Sequence, residues 1–155
     1  MEINQSTLVY RLLNQEEAVP ETLHALSEES FAFGSPWTIE QFQSTFDQAN
    51  LFYLVAEYEG EMVGFLGGSK VHTEAEVYTI VVKTAYKRNG IATQLLKEMK
   101  QRLRAERVNE LFLEVRISNE PAILLYKKSG FIPVGVRKGY YAHPKEDAVV
   151  LKCAL

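Results

Sequence analysis

The chain has 155 residues, of which 46% are hydrophobic, 24% charged and 11% aromatic, and its formal net charge is −3. This size fits a single domain over residues 1–155, and the composition supplies enough apolar surface for one core, which excludes global disorder. The slight acidic excess argues against a nucleic-acid-binding protein, because such proteins usually carry a basic surplus.

The sequence also argues against membrane, secreted and metal-binding proteins. No apolar run reaches the roughly 18–20 residues that a membrane-spanning helix requires. The first five residues lack the basic start and apolar stretch of a secretory signal. The single cysteine, Cys153, excludes an internal disulfide framework, and the three histidines show no metal-ligand spacing. We therefore expect no membrane, no nucleic acid and no metal among the binding partners.

The N-terminal third predicts one strand followed by two helices. Residues 8–12 form a short apolar-rich run that favours a strand, and residues 21–30 carry leucines at helical spacing. Thr38, with a glutamine three residues later, is a capping-box pattern, so we expect the second helix to begin after Thr38. Trp37 and Phe42 then take the positions of a hydrophobic staple.

The middle of the chain predicts an antiparallel meander. Residues 51–58, 62–71 and 76–82 are apolar runs typical of strands, and a turn that contains Gly60 separates the first two. Gly67-Gly68, inside the second run, indicates a bulge or a close approach of another backbone.

After these strands the apolar residues change to helical spacing, which predicts a long amphipathic helix at residues 90–106. Residues 111–115 then form a short apolar strand, and a crossover of this kind makes the strands before and after the helix parallel. The loop at residues 83–89 follows the first of these strands, where α/β sheets commonly bind ligands. The apolar stripe of the helix is Ile91, Leu95, Leu96, Met99 and Leu103.

The C-terminal part predicts a short helix at residues 121–128 and two closing strands at residues 131–136 and 149–155. We expect Tyr140 and Tyr141 on the polar segment between these strands. Paired aromatic rings on such a loop could contact a peptide or simply cover a sheet edge.

The segment Lys87-Arg88-Asn89-Gly90-Ile91-Ala92 is a candidate anion site because it opens the long helix. A helix N-terminus presents unpaired N–H groups and the positive end of the helix dipole, both suited to phosphate. The small residues Gly90 and Ala92 would let a phosphate approach the backbone. The alternative is a basic loop that merely precedes a helix.

Two further side chains could carry chemistry. Glu114 is an acid in an otherwise apolar strand, so it either points to solvent or lines a cavity, where it could act as a general base. Tyr126 on the short helix either packs on the sheet or donates a proton to a leaving group of similar basicity.

Together these features resemble the GCN5-related N-acetyltransferase (GNAT) family over residues 8–155. The resemblance rests on the order of the meander, the Gly90 helix start, the next strand and a helix ending in Leu-Tyr-x-x-x-Gly-Phe. Where the family usually has Gln or Arg, this chain has Lys87, which is still a cationic donor. Five motifs are similar to the RimI-type ribosomal-protein-alanine N-acetyltransferases: Phe33-Gly34-Ser35-Pro36-Trp37, the segment from Leu113 to Asn119, Leu125-Tyr126, the segment from Gly135 to Tyr141, and Glu146-Asp147-Ala148.

The resemblance implies an α/β (α+β) fold with a mixed, mostly antiparallel sheet. Its central parallel strand pair would splay around acetyl-CoA, with helices on both faces. The resemblance makes Glu114 the base and Tyr126 the acid, and it gives Trp37, Tyr140 and Tyr141 to the acceptor. The positions it implies for acetyl-CoA are Ile80, Val81, Val82, Lys87, Arg88, Asn89, Gly90, Ile91, Ala92, Thr93 and Asn119.

The activity that the resemblance implies is acetyl transfer to the N-terminal α-amino group of a protein in the cytoplasm. The expected acceptor is a small-subunit ribosomal protein that starts with alanine. One alternative is an acetyltransferase of the same fold that acts on a small amine, such as an antibiotic or a polyamine. The other is a non-enzymatic CoA-binding or interaction module.

Overall fold

The protein is described by a computed structural model that covers residues 2–14 and 16–155. Met1, the first residue of the segment expected to lack a signal, and Gln15 lie outside the described residues. The strands are β1 Leu8–Leu12, β2 Leu51–Tyr58, β3 Glu61–Val71, β4 Glu74–Val82, β5 Glu110–Arg116, β6 Ile132–Ala142 and β7 Lys145–Ala154. The α-helices are α1 Pro20–Ser30, α2 Ile39–Thr45, α3 Ile91–Ala105 and α4 Glu120–Lys128.

The strands form one sheet in the order β1-β2-β3-β4-β5-β7-β6. Neighbouring strands are antiparallel except for β4 and β5, which are parallel and are joined through α3. The predicted meander, the crossover and the mixed, mostly antiparallel sheet are confirmed.

A bulge lies where β3 runs beside β4, as the glycine pair predicts. The register shifts between Gly67 and Gly68, so that Tyr78 has no direct partner on β3. A Cβ atom at Gly68 would come within 2.4 Å of the Glu76 carbonyl oxygen. Glycine is therefore required for the close approach, and the bulge changes which side chains of β4 face each side of the sheet.

Helices cover both faces of the sheet, but unequally. On one face, α3 buries the predicted stripe, whose five side chains are at most 2% exposed, and α4 packs beside it. On the other face, α1 and α2 cover β2 to β4 through Leu23, Leu26 and Phe42. The part of this second face formed by β5, β7 and β6 is left as an open groove.

The start of α2 follows the sequence prediction closely. The Thr38 side chain accepts a hydrogen bond from the Gln41 N–H at 3.1 Å, and the Gln41 side chain accepts one from the Thr38 N–H at 2.8 Å. Trp37 meets Phe42 edge-on, with ring centroids 5.2 Å apart. The capping box and the staple are confirmed, and they fix the segment that carries Trp37.

The C-terminal hairpin is longer than predicted, and the expectation that Tyr140 and Tyr141 lie on a loop is wrong. Both tyrosines belong to β6, and β7 already begins at Lys145. The pairing of β6 with β7 shifts register between Arg137 and Tyr141 and then continues. Within the shift, Gly139 has a φ of 62 and donates its N–H to the Asp147 side chain at 2.8 Å. The segment looked like a loop because the apolar alternation of this exposed edge strand stops after Val136, where Arg137, Lys138 and Gly139 follow.

Candidate active site

The central feature of the site is a gap between β4 and β5. The two strands pair only from Glu74–Glu110 to Val77–Leu113, although β4 continues to Val82 and β5 to Arg116. Beyond the last pair, the backbone groups on this edge of β4 have no partner on β5. A gap of this kind admits an extended ligand that hydrogen-bonds as an added strand.

The ladder with β3 decides which groups of β4 face the gap. The Lys83 N–H donates to a β3 carbonyl at 2.8 Å, and Val81 is paired with Phe65. Because hydrogen-bonded pairs alternate along an antiparallel ladder, Val81 bonds to β3, whereas the backbone groups of Ile80 and Val82 point into the gap. Of the three positions predicted for the cofactor arm, Ile80 and Val82 therefore offer hydrogen bonds there.

The start of α3 has the geometry of an anion site. Gly90 is the N-cap residue at φ 75, it supplies no side-chain cap, and a Cβ atom there would meet nothing within 4 Å. Arg88 also has a positive φ of 66. Alternating backbone conformations of this kind turn successive N–H groups outward. The first-turn N–H groups without an intrahelical partner are those of Ile91, Ala92 and Thr93.

The side chains of this loop divide between structure and charge. Asn89 donates to the carbonyl oxygens of Tyr86 and Lys87 at 3.0 and 3.2 Å, which holds the loop in shape. Lys87 and Arg88 are exposed and place positive charge at the helix start. The predicted anion site is thus brought together at the end of β4, beside the gap.

Glu114 is the first residue of β5 beyond its pairing with β4. Its side chain is only 11% exposed, and its Oε1 atom lies 2.9 Å from Nε of Arg137. The other oxygen, Oε2, is buried and makes no hydrogen bond among the described residues, although the Tyr140 hydroxyl lies beside the carboxylate. A buried acceptor without a partner is costly, so it marks a position where a ligand N–H or a water would bind.

Glu114 opens into a groove of about 300 Å³ on the uncovered face, which Glu76, Phe112, Arg137 and Val150 also line. Burial raises the pKa of Glu76, and the negative charge of Glu114 raises it further, while Arg137 acts in the opposite direction. The end of the groove at Glu114 therefore holds two carboxylates and one guanidinium.

Tyr126 lies on α4 and packs edge-on against Phe131, with ring centroids 6.0 Å apart. Burial raises the pKa of Tyr126 to about 12, and the neighbouring Tyr141 adds to the shift. Burial also raises the pKa of Tyr141, on which Glu114 acts in the same direction. Tyr141 is therefore close enough to interact with both Tyr126, the predicted acid, and Glu114, the predicted base.

The paired tyrosines lie at the β6 bulge, with Tyr140 beside Glu114. Their rings are perpendicular, with centroids 5.1 Å apart. Burial raises the pKa of Tyr140 to about 12, and the Glu114 carboxylate beside its hydroxyl contributes to the rise. The Arg116 guanidinium lies 4.2 Å from the centroid of the Tyr141 ring, a cation–π distance.

Arg116 also ties the tip of the β6–β7 hairpin to the end of β5. Its guanidinium donates to the carbonyl oxygens of Pro144 and His143 at 2.9 and 3.1 Å and pairs with Glu146 at 3.2 Å. The other oxygen of Glu146 accepts from the Ser118 N–H at 2.7 Å. The hairpin that carries both tyrosines is thereby fastened to the strand that carries Glu114.

Trp37 and Asn119 are the remaining predicted positions. The Trp37 ring lies 6.1 Å from that of Tyr78, the bulged residue of β4, whose hydroxyl is 2.7 Å from Ser69 Oγ. Asn119 accepts from the Ala122 N–H at 3.3 Å and so caps α4. The cofactor contact that the family resemblance implies for Asn119 stays a prediction.

Sequence reasoning missed Glu76, Tyr78, Arg116 and Arg137 as site residues. Arg116 could have been found, because residues i and i+2 of a strand share a face, which places it beside Glu114. Arg137 could not, because its approach to Glu114 depends on β7 lying between β5 and β6.

None of the helices in residues 2–14 and 16–155 combines the length and apolarity needed to cross a membrane. Over the same range, the acids, histidines and cysteine form no group of three that could hold a metal ion.

Chemically, the arrangement combines an anion site, a channel for an extended chain, a carboxylate with a free oxygen and a neutral phenol. Such a set can bind a phosphorylated carrier, remove a proton from a nucleophile and protonate a leaving group.

Comparison with known proteins agrees with this chemistry. Residues 20–131 match the model of the acetyltransferase (GNAT) family. The N-alpha-acetyltransferase RimI of Mycobacterium tuberculosis is 34% identical over 131 residues, covering 82% of this chain and 81% of that protein. The [ribosomal protein bS18]-alanine N-acetyltransferase of Escherichia coli is 33% identical over 125 residues, covering 79% and 84%. The crystal structure of the E. coli ribosomal-protein-S18-alanine N-acetyltransferase superposes with a TM-score of 0.83 at 27% identity, covering 94% of each chain.

Proposed function

Because the chain belongs to the acetyltransferase (GNAT) family and is thus an acyltransferase, we propose that it transfers the acetyl group of acetyl-CoA to the N-terminal α-amino group of a protein. The proposed acceptor is a small-subunit ribosomal protein that starts with alanine, and the proposed location is the cytoplasm. The gap between β4 and β5 is the observation that carries the proposal, because it joins the anion site at α3 to the Glu114 carboxylate.

The residues fit acetyl-CoA on structural grounds. The uncapped start of α3 suits the pyrophosphate, and the open space at Gly90 allows close approach. The free backbone groups of Ile80 and Val82 suit an extended pantetheine arm. Acetyl-CoA supplies the acetyl group as a thioester.

In the proposed mechanism Glu114 prepares the nucleophile. An α-amino group has a pKa of about 8, so a large fraction of the amine must lose a proton before it can attack. Glu114 takes this proton, directly or through a water, at the oxygen that is free of Arg137. A backbone N–H of β4 at the gap donates to the carbonyl oxygen of the acetyl group as negative charge develops there.

Tyr126 completes the transfer by protonating the departing thiolate. A thiol has a pKa of roughly 8.5, whereas burial raises the pKa of Tyr126 to about 12, so the phenol is fully protonated at neutral pH. A weak acid of this kind can still donate in the transition state, where the proton moves as the carbon–sulfur bond breaks.

One observation favours the second candidate, transfer to a small cationic amine. Three glutamates, Glu74, Glu76 and Glu114, line the groove. An acid-lined cavity suits a polyamine or an aminoglycoside, whereas the aromatic rings of Trp37, Tyr140 and Tyr141 suit a peptide.

The test is an assay of acetyl transfer to peptides, in which the release of the CoA thiol is monitored. The peptides vary in their first two residues and include an alanine-starting ribosomal N-terminus. The controls are a peptide with a blocked N-terminus and a free lysine, and a panel of polyamines. We expect turnover with free α-amino groups only. Equal turnover with the blocked peptide, or turnover confined to polyamines, would contradict the proposed acceptor.

A further inference from the structure

We propose that Arg137 is a positioning residue, which holds one oxygen of Glu114 and leaves the other free to accept a proton from the acceptor amine. The inference rests on the proposed role of Glu114 as the base. It assigns the two oxygens different tasks: Oε1 is bound by Arg137 at 2.9 Å, and Oε2 has no partner among the described residues.

Sheet register explains why an arginine can reach Glu114 from two strands away. Arg116 on β5, Ala148 on β7 and Arg137 on β6 lie opposite one another, and Glu114 shares the face of Arg116. Adjacent strands are roughly 4.8 Å apart, so only a long side chain spans β7. Gly135 lies opposite Val150 beside this path and adds no side chain to block it.

Charge explains why Glu114 needs this partner. Glu76 from β4 repels the Glu114 carboxylate, Tyr140 and Tyr141 face it from β6, and Val150 opposite on β7 is apolar. Without a cation, the Glu114 carboxylate could turn away from Glu76 or turn both oxygens towards the tyrosine hydroxyls. Arg137 disfavours both alternative orientations, because its ion pair with Glu114 fixes the position of the Oε1 atom.

The difference in exposure between Glu114 and Arg137 indicates that Arg137 positions the carboxylate and does not pack in the core. Glu114 is 11% exposed, whereas Arg137 is 60% exposed. Most of the arginine side chain lies in solvent, so removing it leaves no cavity in the core. Its effect should be confined to the carboxylate that it holds.

A double-mutant cycle tests this inference. We expect Arg137→Gln to lower kcat about tenfold, since a misplaced catalytic group costs up to ~10²-fold, with KM for acetyl-CoA unchanged. In the Glu114→Gln background, the same substitution should change kcat less than twofold, because the group it positions is gone. Arg137→Lys should restore part of the loss. Lys138→Gln, the same charge change one residue away on an exposed side chain, is the matched control and should leave kcat unchanged.

The outcomes separate the two ideas. If Arg137→Gln retains full kcat, or costs as much in the Glu114→Gln background as in the unmodified chain, the positioning role is overturned while the base remains. If Glu114→Gln by itself retains full kcat, the proposed base fails, and Arg137 loses its role with it. Calorimetric affinity for acetyl-CoA, measured on each variant, confirms that the protein is folded.

Discussion

At the scale of single residues, Glu114 is expected to carry most of the chemistry. Glu114→Gln keeps the shape of the side chain but removes its capacity to take a proton. We expect kcat to fall by about 10²–10⁴-fold, the usual range for a general base, with a much smaller rise in KM for acetyl-CoA.

Steady-state kinetics from pH 6 to 9 checks this prediction. Glu110→Gln is the matched control, because Glu110 lies on the same strand but pairs with Lys152 at 2.8 Å at the far end of β5. An unchanged kcat in Glu114→Gln over this range would remove Glu114 from the mechanism.

Tyr126 gives a prediction with a pH dependence. Tyr126→Phe should slow turnover more than twofold if the phenol is the acid. The acid works only while protonated, and burial raises its pKa to about 12, so it should not lose its proton at any pH up to about 10. The ratio of the wild-type rate to the Tyr126→Phe rate should therefore stay constant from about pH 7 to 10. A ratio that falls towards one across this range would show that the acid loses its proton below pH 10, which contradicts the raised pKa of Tyr126.

At the scale of elements, the β6–β7 hairpin is expected to control acceptor binding. Arg116→Ala removes the donors to the hairpin tip and the cation on the Tyr141 ring. We expect KM for the peptide to rise about fivefold to tenfold, equivalent to one or two net hydrogen bonds, with KM for acetyl-CoA unchanged. Equal rises in both KM values would instead indicate a general loss of structure.

The contacts that Glu146 makes with Arg116 and Ser118 should depend on pH. Hydrogen bonds from Ser118, together with Arg116, hold the pKa of Glu146 below its ordinary value of 4.5. A lowered pKa means that the contact is complete above that value and is lost as the pH falls below it. Hydrogen exchange of β6 amides at pH 7 and below pH 4 measures this, and we expect faster exchange relative to the core of β3 at the lower pH.

Elements that follow local rules could be predicted from the sequence, and those that depend on distant neighbours could not. The α2 capping box, the stripe of α3 and the close approach at Gly67-Gly68 of β3 each follow from a short local pattern. The full length of β6 could not be predicted, because its apolar alternation stops after Val136 while the strand continues to Ala142. The ion pair of Glu114 with Arg137 needs the order β5-β7-β6, which no local pattern contains.

At the scale of the whole molecule, the gap between β4 and β5 leaves part of the sheet without strand partners, and a bound ligand would supply them. A ligand present at 100 times its Kd stabilises a protein by about 2.7 kcal/mol. For a chain of this size each kcal/mol raises Tm by roughly 2–4 °C. We therefore expect saturating acetyl-CoA to raise Tm by roughly 5–10 °C in a thermal unfolding experiment.

A pair of glycine variants locates the source of that rise. Gly90 at φ 75 and Gly60 at φ 82 are both in the left-handed region, with nothing within 4 Å of an added Cβ. Valine at either position costs about 1–2 kcal/mol of backbone strain, so both variants should start from a lower Tm. Gly60→Val, in the β2–β3 turn, should keep the full rise with acetyl-CoA, whereas Gly90→Val should lose most of it, because the N–H groups at the start of α3 no longer converge on the pyrophosphate. Equal rises in the two variants would mean that the diphosphate binds elsewhere.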